Sequence, residues 1–330
     1  MAVTNSSAVA VTNNVYLAMD MLEHAEPHIV ATRFANQVTM PKNKKETIKF
    51  RRPVTFAAAD TPLVEGVTPT ATQFTYETET ATLQQFGQVI EVTDLVEDTA
   101  ESPVVKEAAM IAGENIGRTI ESLLSATIKA GTSVSYANGS SRSAVNTTIS
   151  LNALRGVVRT LRANKAKPVT RVIQPGPEYN SFAVAPSYVA ICHTDVAADI
   201  RGLTGFVPAE EYARRKLVHD NELGKVEDIR FVCSADFDPW ADAGGSAGSM
   251  KSTSGTNADV YPVVVFGQDA FAAVSLAGYG SVEPSIIPAN KRDKSDPLGQ
   301  RGIVSWKTYF ASTILNDAWV HRLEVAVTDL

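Results

Sequence analysis

The C-terminal end of the chain contains two runs in which apolar and polar side chains alternate, and this alternation constrains the fold more than any other feature. The runs cover residues 302–311 and 319–328 and are separated by a polar break at residues 315–317. Their apolar positions are Val304, Trp306, Phe310, Leu323, Val325 and Val327. A period of two residues indicates strands with one buried face. The pattern therefore predicts a packed final strand, with Arg322 and Glu324 on the face that is not buried.

A second alternating pattern predicts a long two-stranded ribbon from residues 47–56 and 73–80, joined by a turn-rich stretch. Such a ribbon is marginally stable alone in water. Its charged residues are divided between the two arms and are Lys49, Arg51, Arg52, Glu77 and Glu79. They either pair across the ribbon or dock against an oppositely charged neighbour. Since each exposed pair contributes only ~0.2–1 kcal/mol, docking would require many pairs acting together.

The N-terminal region predicts one short helix on a polar arm. Residues 15–26 place Leu17, Met21 and Leu22 at helical spacing before Pro27 ends the helix. One short helix cannot bury its own apolar face and needs another surface, from the same chain or from a neighbour. We therefore predict Leu17 and Met21 as assembly contacts.

Residues 103–130 are predicted to form the longest helix. Ser102 is a candidate N-cap, Pro103 suits the first helical position, and Gly131 follows the last apolar residue. Apolar residues recur every three or four positions, and Glu114 is spaced to pair with Arg118. At ~1.5 Å per residue, the helix would be roughly 42 Å long.

A second helix is predicted over residues 151–166, capped by Ser150. Its basic face carries Arg155, Arg159, Arg162 and Lys165. One interpretation is a solvated face, helped by cations near the C-terminal end of a helix, and the other is contact with DNA or with an acidic neighbour. Residues 168–284 then read as a separate lobe of mixed strands and helices, with a helix predicted at 208–217 and a glycine-rich, flexible loop at 239–256.

The charge, the cysteines and the hydropathy of the chain argue against several classes of function. The formal net charge of −6 argues against a dedicated nucleic-acid binder, which should be basic. Cys192 and Cys233 lie in apolar runs, which predicts two buried thiols rather than a disulfide. Burial also makes Cys192, beside His193, a poor candidate nucleophile.

The chain has no apolar run long enough to span a membrane, and its start does not resemble a secretory signal.

The histidines near the N-terminus are a weak metal-site candidate. His24 and His28 lie four residues apart with Glu26 between them, a spacing that suits a metal on a helix. Pro27 breaks that helix, and a third ligand is missing nearby. We predict no metal there.

Other chemical motifs are also incomplete. Asp236, Asp238 and Asp242 lack the spacing and the terminal Glu of a calcium loop. The glycines at residues 244–248 do not open a helix after a strand and are not followed by a phosphate-binding lysine. The sequence therefore predicts no metal, no cofactor and no catalytic residue, and hence not an enzyme.

Two stretches resemble a known family. The run SDPLGQRG at residues 295–302, followed by SWKTYFASTILNDAWVHRLEVA at 305–326, resembles the C-terminal signature of major capsid proteins of tailed bacteriophages, in the short-tailed-phage group. The stretch DNELGKVEDIRFVCS at residues 220–234 is similar to the same group. Between these places the resemblance is looser.

The resemblance implies an α+β fold of the Johnson type. In that fold, residues 1–45 would be the N-terminal arm and residues 46–90 the extended loop, a β-hairpin. Residues 91–167 and 285–330 would form the peripheral domain, with residues 103–130 as its spine helix. Residues 168–284 would form the axial domain.

The resemblance also implies function and partners. Chains would assemble into homo-hexamers and homo-pentamers of an icosahedral shell around double-stranded DNA, in the host bacterial cytoplasm, with scaffold, portal and decoration proteins as partners. The lysine, asparagine and glutamate set that cross-links some relatives is not matched. Two alternatives stay open: a shell protein of a bacterial nanocompartment, and a two-domain soluble enzyme.

Overall fold

The computed structural model describes residues 28–43, 45–63, 65–66, 68–99, 103–169, 186–212, 217–277, 282–289, 292 and 296–330. The predicted arm helix at residues 15–26, with Leu17 and Met21, lies outside these residues. The strands in chain order are β1 (Asn36–Met40), β2 (Thr47–Pro53), β3 (Tyr76–Thr82), β4 (Gln84–Thr93), β5 (Val134–Tyr136), β6 (Tyr188–Cys192), β7 (Phe206–Pro208), β8 (Glu222–Val226), β9 (Ile229–Cys233), β10 (Tyr261–Phe266), β11 (Phe271–Leu276), β12 (Glu283–Ile287), β13 (Arg301–Ile314) and β14 (Val320–Val325). The helices are α1 (Asp94–Thr99), α2 (Val104–Lys129), α3 (Leu151–Ala163) and α4 (Ala197–Arg201).

Strand β13 is the centre of a five-stranded sheet. Strand β4 pairs antiparallel along one edge of β13, from Arg301 opposite Thr93 to Phe310 opposite Gln84. Strands β11 and β12 share the other edge end to end, and β1 joins β11 in parallel. The predicted alternation is confirmed, because the side chains of Val304, Trp306 and Phe310 are all buried.

The long helix α2 lies between this sheet and a second one. It confirms the predicted helix at 103–130 to within one residue at each end, with Pro103 at the N-cap rather than inside the helix. Its buried residues, including Ile116 and Leu124, share one core with Trp306 of β13 and Phe266 of β10. Each such side chain contributes roughly 1.5–3 kcal/mol by burial.

The second sheet has seven strands in the order β5-β14-β10-β6-β9-β8-β7. Helix α3 covers its other face with Leu154, Val158 and Leu161. The predicted cap of α3 is confirmed, because the Ser150 hydroxyl accepts a hydrogen bond from the Ala153 amide at 3.2 Å. Strands covered on both faces need continuous apolar sequence, as the fully buried strand β10 shows.

The prediction of one buried face was wrong for β14. All six of its residues are buried, including Arg322 and Glu324. Alternation in sequence marks a polar face, but here that face is covered by the segment around Arg142 and Trp240, which pairs with the charges. A buried ion-pair face and a solvated face look alike in sequence.

The predicted ribbon is confirmed as a separate two-stranded sheet of β2 and β3. Its base packs on the five-stranded sheet through a small apolar cluster, which contains Met40, Ala81, Val274 and Ala311 with Ile48, Phe50 and Leu83 against them. Only Leu83 separates β3 from β4, so the ribbon leads directly into the body of the protein.

The two larger sheets draw strands from both sides of the predicted domain boundaries. Strand β11, from the segment 168–284, pairs with β13, whereas β14 and β5 lie in the sheet of β6 and β9. Segment 36–40 of the predicted arm is strand β1 of the body. The division into arm, loop, peripheral and axial domains stays a prediction.

Three local predictions differ from the structure. Over the described residues 208–212, the predicted helix at 208–217 is a single 3-10 turn at Ala209–Glu211, after which Tyr212 is extended. The glycine-rich stretch at 239–256 is held by backbone bridges, among them Ser246 to Asn257 and Met250 to Thr328. Arg118 contacts Asp236, with Nε 3.1 Å from Oδ1, rather than the predicted partner Glu114.

Within the described part of the chain, the helices are all too short or too polar to cross a membrane.

Candidate assembly surfaces

The outer part of the ribbon exposes a cluster of aromatic rings. Phe56, Phe74 and Tyr76 are 55%, 52% and 56% exposed. The Phe56 and Phe74 ring centroids are 6.3 Å apart, and Phe74 meets Tyr76 edge to face at 4.7 Å. Aromatic rings that pack only on one another in solvent leave most of their apolar area available to another surface. The alternation in residues 73–80 puts Phe74 and Tyr76 on one face, but it does not reveal this cluster, because Phe56 comes from the other arm.

The charged residues of the ribbon are arranged by its register. Arg52 is opposite Glu77 and makes an ion pair with it, as one of the two interpretations predicted. Lys49 is opposite Thr80 and Arg51 is opposite Thr78, so neither faces an acidic partner across the ribbon. Exposed pairs of this kind contribute little to stability.

Part of the charged surface turns toward the protein's own body. Arg51 and Glu79 line a cavity of about 230 Å³ together with Asp269, Asn316 and Trp319. The cavity separates the ribbon from the turn between β13 and β14. The predicted assembly role of Lys49, Arg51, Arg52, Glu77 and Glu79 stays a prediction, as does that of Leu17 and Met21.

The N-terminal segment enters the body at the long helix. The buried carboxylate of Glu121 on α2 accepts hydrogen bonds from the backbone amides of Val30 at 3.2 Å and Ala31 at 2.7 Å. Burial raises the pKa of Glu121 above its ordinary value, although these amides oppose the shift. His28 adds a contact from Nδ1 to Asp236 Oδ2 at 2.8 Å. Sequence reasoning missed Glu121, since a single acid on the apolar face of a helix gives no sign of its partner.

A buried charge network joins the C-terminal strand to the end of α2. Glu324, which is fully buried, accepts two hydrogen bonds from Arg142, both at 2.8 Å, and lies 2.8 Å from Arg322 Nε. This bonding raises the pKa of Arg142. The Arg142 guanidinium stacks 3.6 Å above the Trp240 ring centre. Arg322 also donates to the carbonyls of Lys129 and Gly131, which caps the C-terminal end of α2.

Two of the aspartates considered for metal binding have structural partners. Asp236 is held by His28 and Arg118, and Asp242 accepts hydrogen bonds from the Ser252 hydroxyl and the Ser254 amide. Among the described residues, no group of three His, Cys, Asp or Glu side chains is arranged to hold a metal ion. His24 and Glu26 lie outside that part of the chain.

This α+β arrangement of two sheets, a long helix and a ribbon matches solved phage capsid structures, which have the Johnson-type capsid fold. Residues 76–322 match the family model described as "Phage capsid protein". The chain belongs to this phage capsid family and is a major capsid protein, a structural protein of the virion capsid. The α+β capsid fold and the major capsid role that the resemblance implied are thereby confirmed.

Solved structures show the same fold at low sequence identity. The capsid of Ralstonia phage GP4 is similar with a TM-score of 0.63 and 11% identity, covering 90% of this chain and 88% of that one. The capsid of cyanophage Pam1 gives 0.58 and 14%, covering 93% of each chain. The SrpI encapsulin of Synechococcus elongatus PCC 7942 gives 0.54 and 9%, covering 91% and 88%. No curated protein matches the chain.

Proposed function

We propose that this protein forms homo-hexamers and homo-pentamers that close into an icosahedral shell around packaged double-stranded DNA. Assembly takes place around a scaffold in the host bacterial cytoplasm, with portal and decoration proteins as further partners. In this proposal residues 1–45 are the arm, 46–90 the extended loop, 91–167 with 285–330 the peripheral domain, and 168–284 the axial domain. Strands β11 and β14 are the places where the last two domains exchange strands.

The ribbon is the observation that carries the proposal. Beyond its base, β2 and β3 contact little of the body, and a two-stranded ribbon has marginal stability by itself. The exposed rings of Phe56, Phe74 and Tyr76 become buried only if another surface covers them. In a closed symmetric shell, that surface belongs to another copy of the same chain.

The body carries exposed apolar side chains that could receive such a ribbon. Val89 on β4, Leu95 and Val96 on α1, and Ile111 on α2 are all exposed, and the four lie on consecutive elements. Single exposed apolar residues are ordinary. Their placement on the elements that follow the ribbon supports the peripheral segment as the face where neighbouring copies meet.

Enclosure of DNA in this proposal does not depend on binding it. The net charge is −6. On the basic face of α3, Arg155 contacts Glu227 at 2.6 Å and Arg162 contacts Asp228. Because these cations already have acidic partners within the chain, the solvated interpretation of this face is favoured over contact with packaged DNA.

Shortening the ribbon tests the proposal. Deletion of residues 61–70 should leave a folded subunit with unchanged helical circular dichroism, but electron microscopy should show no closed shells. The double substitution Phe56→Ser with Phe74→Ser should act in the same direction, whereas Thr75→Ser, an exposed change on the same ribbon, is the matched control. Normal shells from both ribbon variants would show that the ribbon has no part in assembly.

The similarity to the SrpI encapsulin is the observation behind the alternative function, a nanocompartment shell. The two functions differ in what the particle contains. Electron microscopy of particles from infected cells would show DNA-filled heads in the first case and DNA-free, cargo-bearing shells in the second. The phage capsid family match favours the first.

A further inference from the structure

The two cysteines of the chain are in register on neighbouring strands. Cys192 is the last residue of β6, Cys233 is the last residue of β9, and the two are direct partners in a parallel pair. Their Sγ atoms are 3.7 Å apart, and both thiols are free. Neighbouring strands lie ~4.8 Å apart, which is inside the roughly 4.4–6.8 Å range of Cα separations that a disulfide tolerates. A disulfide therefore needs small side-chain rotations and little backbone movement.

Both cysteines lie where the sheet ends, so the backbone there is less constrained than in mid-strand. Each is followed by a turn, at residues 194–196 and 235–236. The Ser234 amide donates to the Cys192 carbonyl at 2.9 Å, which keeps the two strand ends side by side. Proximity is thus maintained by the main chain and does not depend on a bond between the sulfurs.

The two thiols differ in exposure and acidity. Cys192 is completely buried, whereas Cys233 is partly exposed. A hydrogen bond from the Cys192 thiol lowers the pKa of Cys233, and the charge of Arg201 acts in the same direction. The same hydrogen bond and burial raise the pKa of Cys192. This is the arrangement of an attacking thiolate beside a resolving thiol.

We propose that Cys192 and Cys233 form an intrachain disulfide when the protein meets an oxidising environment, with a small-molecule disulfide such as oxidised glutathione as the oxidant. The Cys233 thiolate attacks one sulfur of the oxidant, forming a mixed disulfide and releasing one reduced thiol. Cys192 then loses its proton and attacks the Cys233 sulfur, releasing the second reduced thiol. Two protein thiols are oxidised, and one small disulfide is reduced to two thiols.

The bond links strands that are separated by 41 positions in sequence. It closes that segment, which contains α4, β7 and β8, so it restricts the unfolded chain without changing the fold. Thiols stay reduced inside a bacterial cell and oxidise outside it. The disulfide would therefore form after particles leave the host. Because it lies within one chain, it forms in the free subunit as well as in a shell.

The test is the intact mass of the full chain after incubation with oxidised glutathione. The wild type should lose about 2 Da, the mass of two hydrogens, and should show no free thiol when denatured. Its unfolding midpoint should rise by roughly 5 °C and return to the original value with reductant. A lasting glutathione adduct, disulfide-linked dimers, or two unreacted thiols in the wild type would each overturn the proposal.

Two variants separate the roles of the thiols. Cys192→Ala removes the resolving thiol, so glutathione should stay on Cys233 and add about 305 Da. Cys233→Ser leaves only the buried Cys192, which should react at least tenfold more slowly than Cys233 does in Cys192→Ala. Equal rates in the two variants would contradict the assignment of Cys233 as the attacking thiol.

Discussion

Replacing Glu121 tests how the N-terminal segment is attached to the body. Glu121→Ala removes the acceptor for the amides of Val30 and Ala31, which lie in a buried environment. Each stranded donor costs roughly 1–3 kcal/mol. Removing a buried carboxylate offsets part of this loss. We therefore expect the free energy of unfolding to fall by about 2–4 kcal/mol.

The pH dependence of stability supplies a second signature. Since burial raises the pKa of Glu121 above 4.5, the folded state holds its proton more tightly than the unfolded state does. The stability contribution is fully present below pH 4.5 and is lost as pH rises through the higher pKa of the folded state. Glu121→Gln does not titrate, so the stability gained by lowering the pH through this window should be smaller in the variant than in the wild type.

The assay combines chemical unfolding of the free subunit at several pH values with hydrogen exchange at the amides of Val30 and Ala31. The control is Glu114→Ala, an exposed acid on the same helix. Both alanine variants have the same effect on helix propensity, so their difference isolates the buried contacts. Unchanged exchange at Val30 and Ala31 in Glu121→Ala would refute the attachment.

Two further predictions concern the buried core. Ile116→Asp should destroy the fold by placing an unpaired charge in the core shared by the helix and both sheets, and an unchanged melting temperature would show that the buried face of α2 is misassigned. Glu324→Gln should lower the free energy of unfolding by about 2–4 kcal/mol, because it leaves Arg142 and Arg322 with an uncharged partner. The expected loss of unfolding free energy is slightly smaller than for breaking a fully buried ion pair, because Arg142 is partly exposed. Arg142→Lys, which keeps the charge, should cost less than Glu324→Gln in the same denaturant titration.

Local periodicity explains which parts of the fold could be predicted. The strand at 302–311 and the helix at 103–130 were recognisable because each buries one face against a large partner, and a single face leaves a regular pattern in the sequence. The ribbon was recognisable for a related reason, since Ile48 and Phe50 alternate where its base packs.

Long-range pairing explains what could not be predicted. Glu324 is buried because Arg142, 182 positions earlier, reaches over it, and Glu121 is buried because residues 30 and 31 return to the helix. Neither partner is marked by spacing or by type. The same limit applies to the strand order, because β11 and β14 each lie in a sheet other than the one that their position in the chain suggested.

In the proposed assembly, the connection between the ribbon and the body lets docking on a neighbour act on the whole subunit. Strand β3 continues into β4 after Leu83 alone, and β4 pairs with β13 over ten consecutive positions. Strand β13 in turn packs on α2 through Trp306. A force on the ribbon therefore reaches the centre of the five-stranded sheet through main-chain hydrogen bonds and then the long helix through packed side chains.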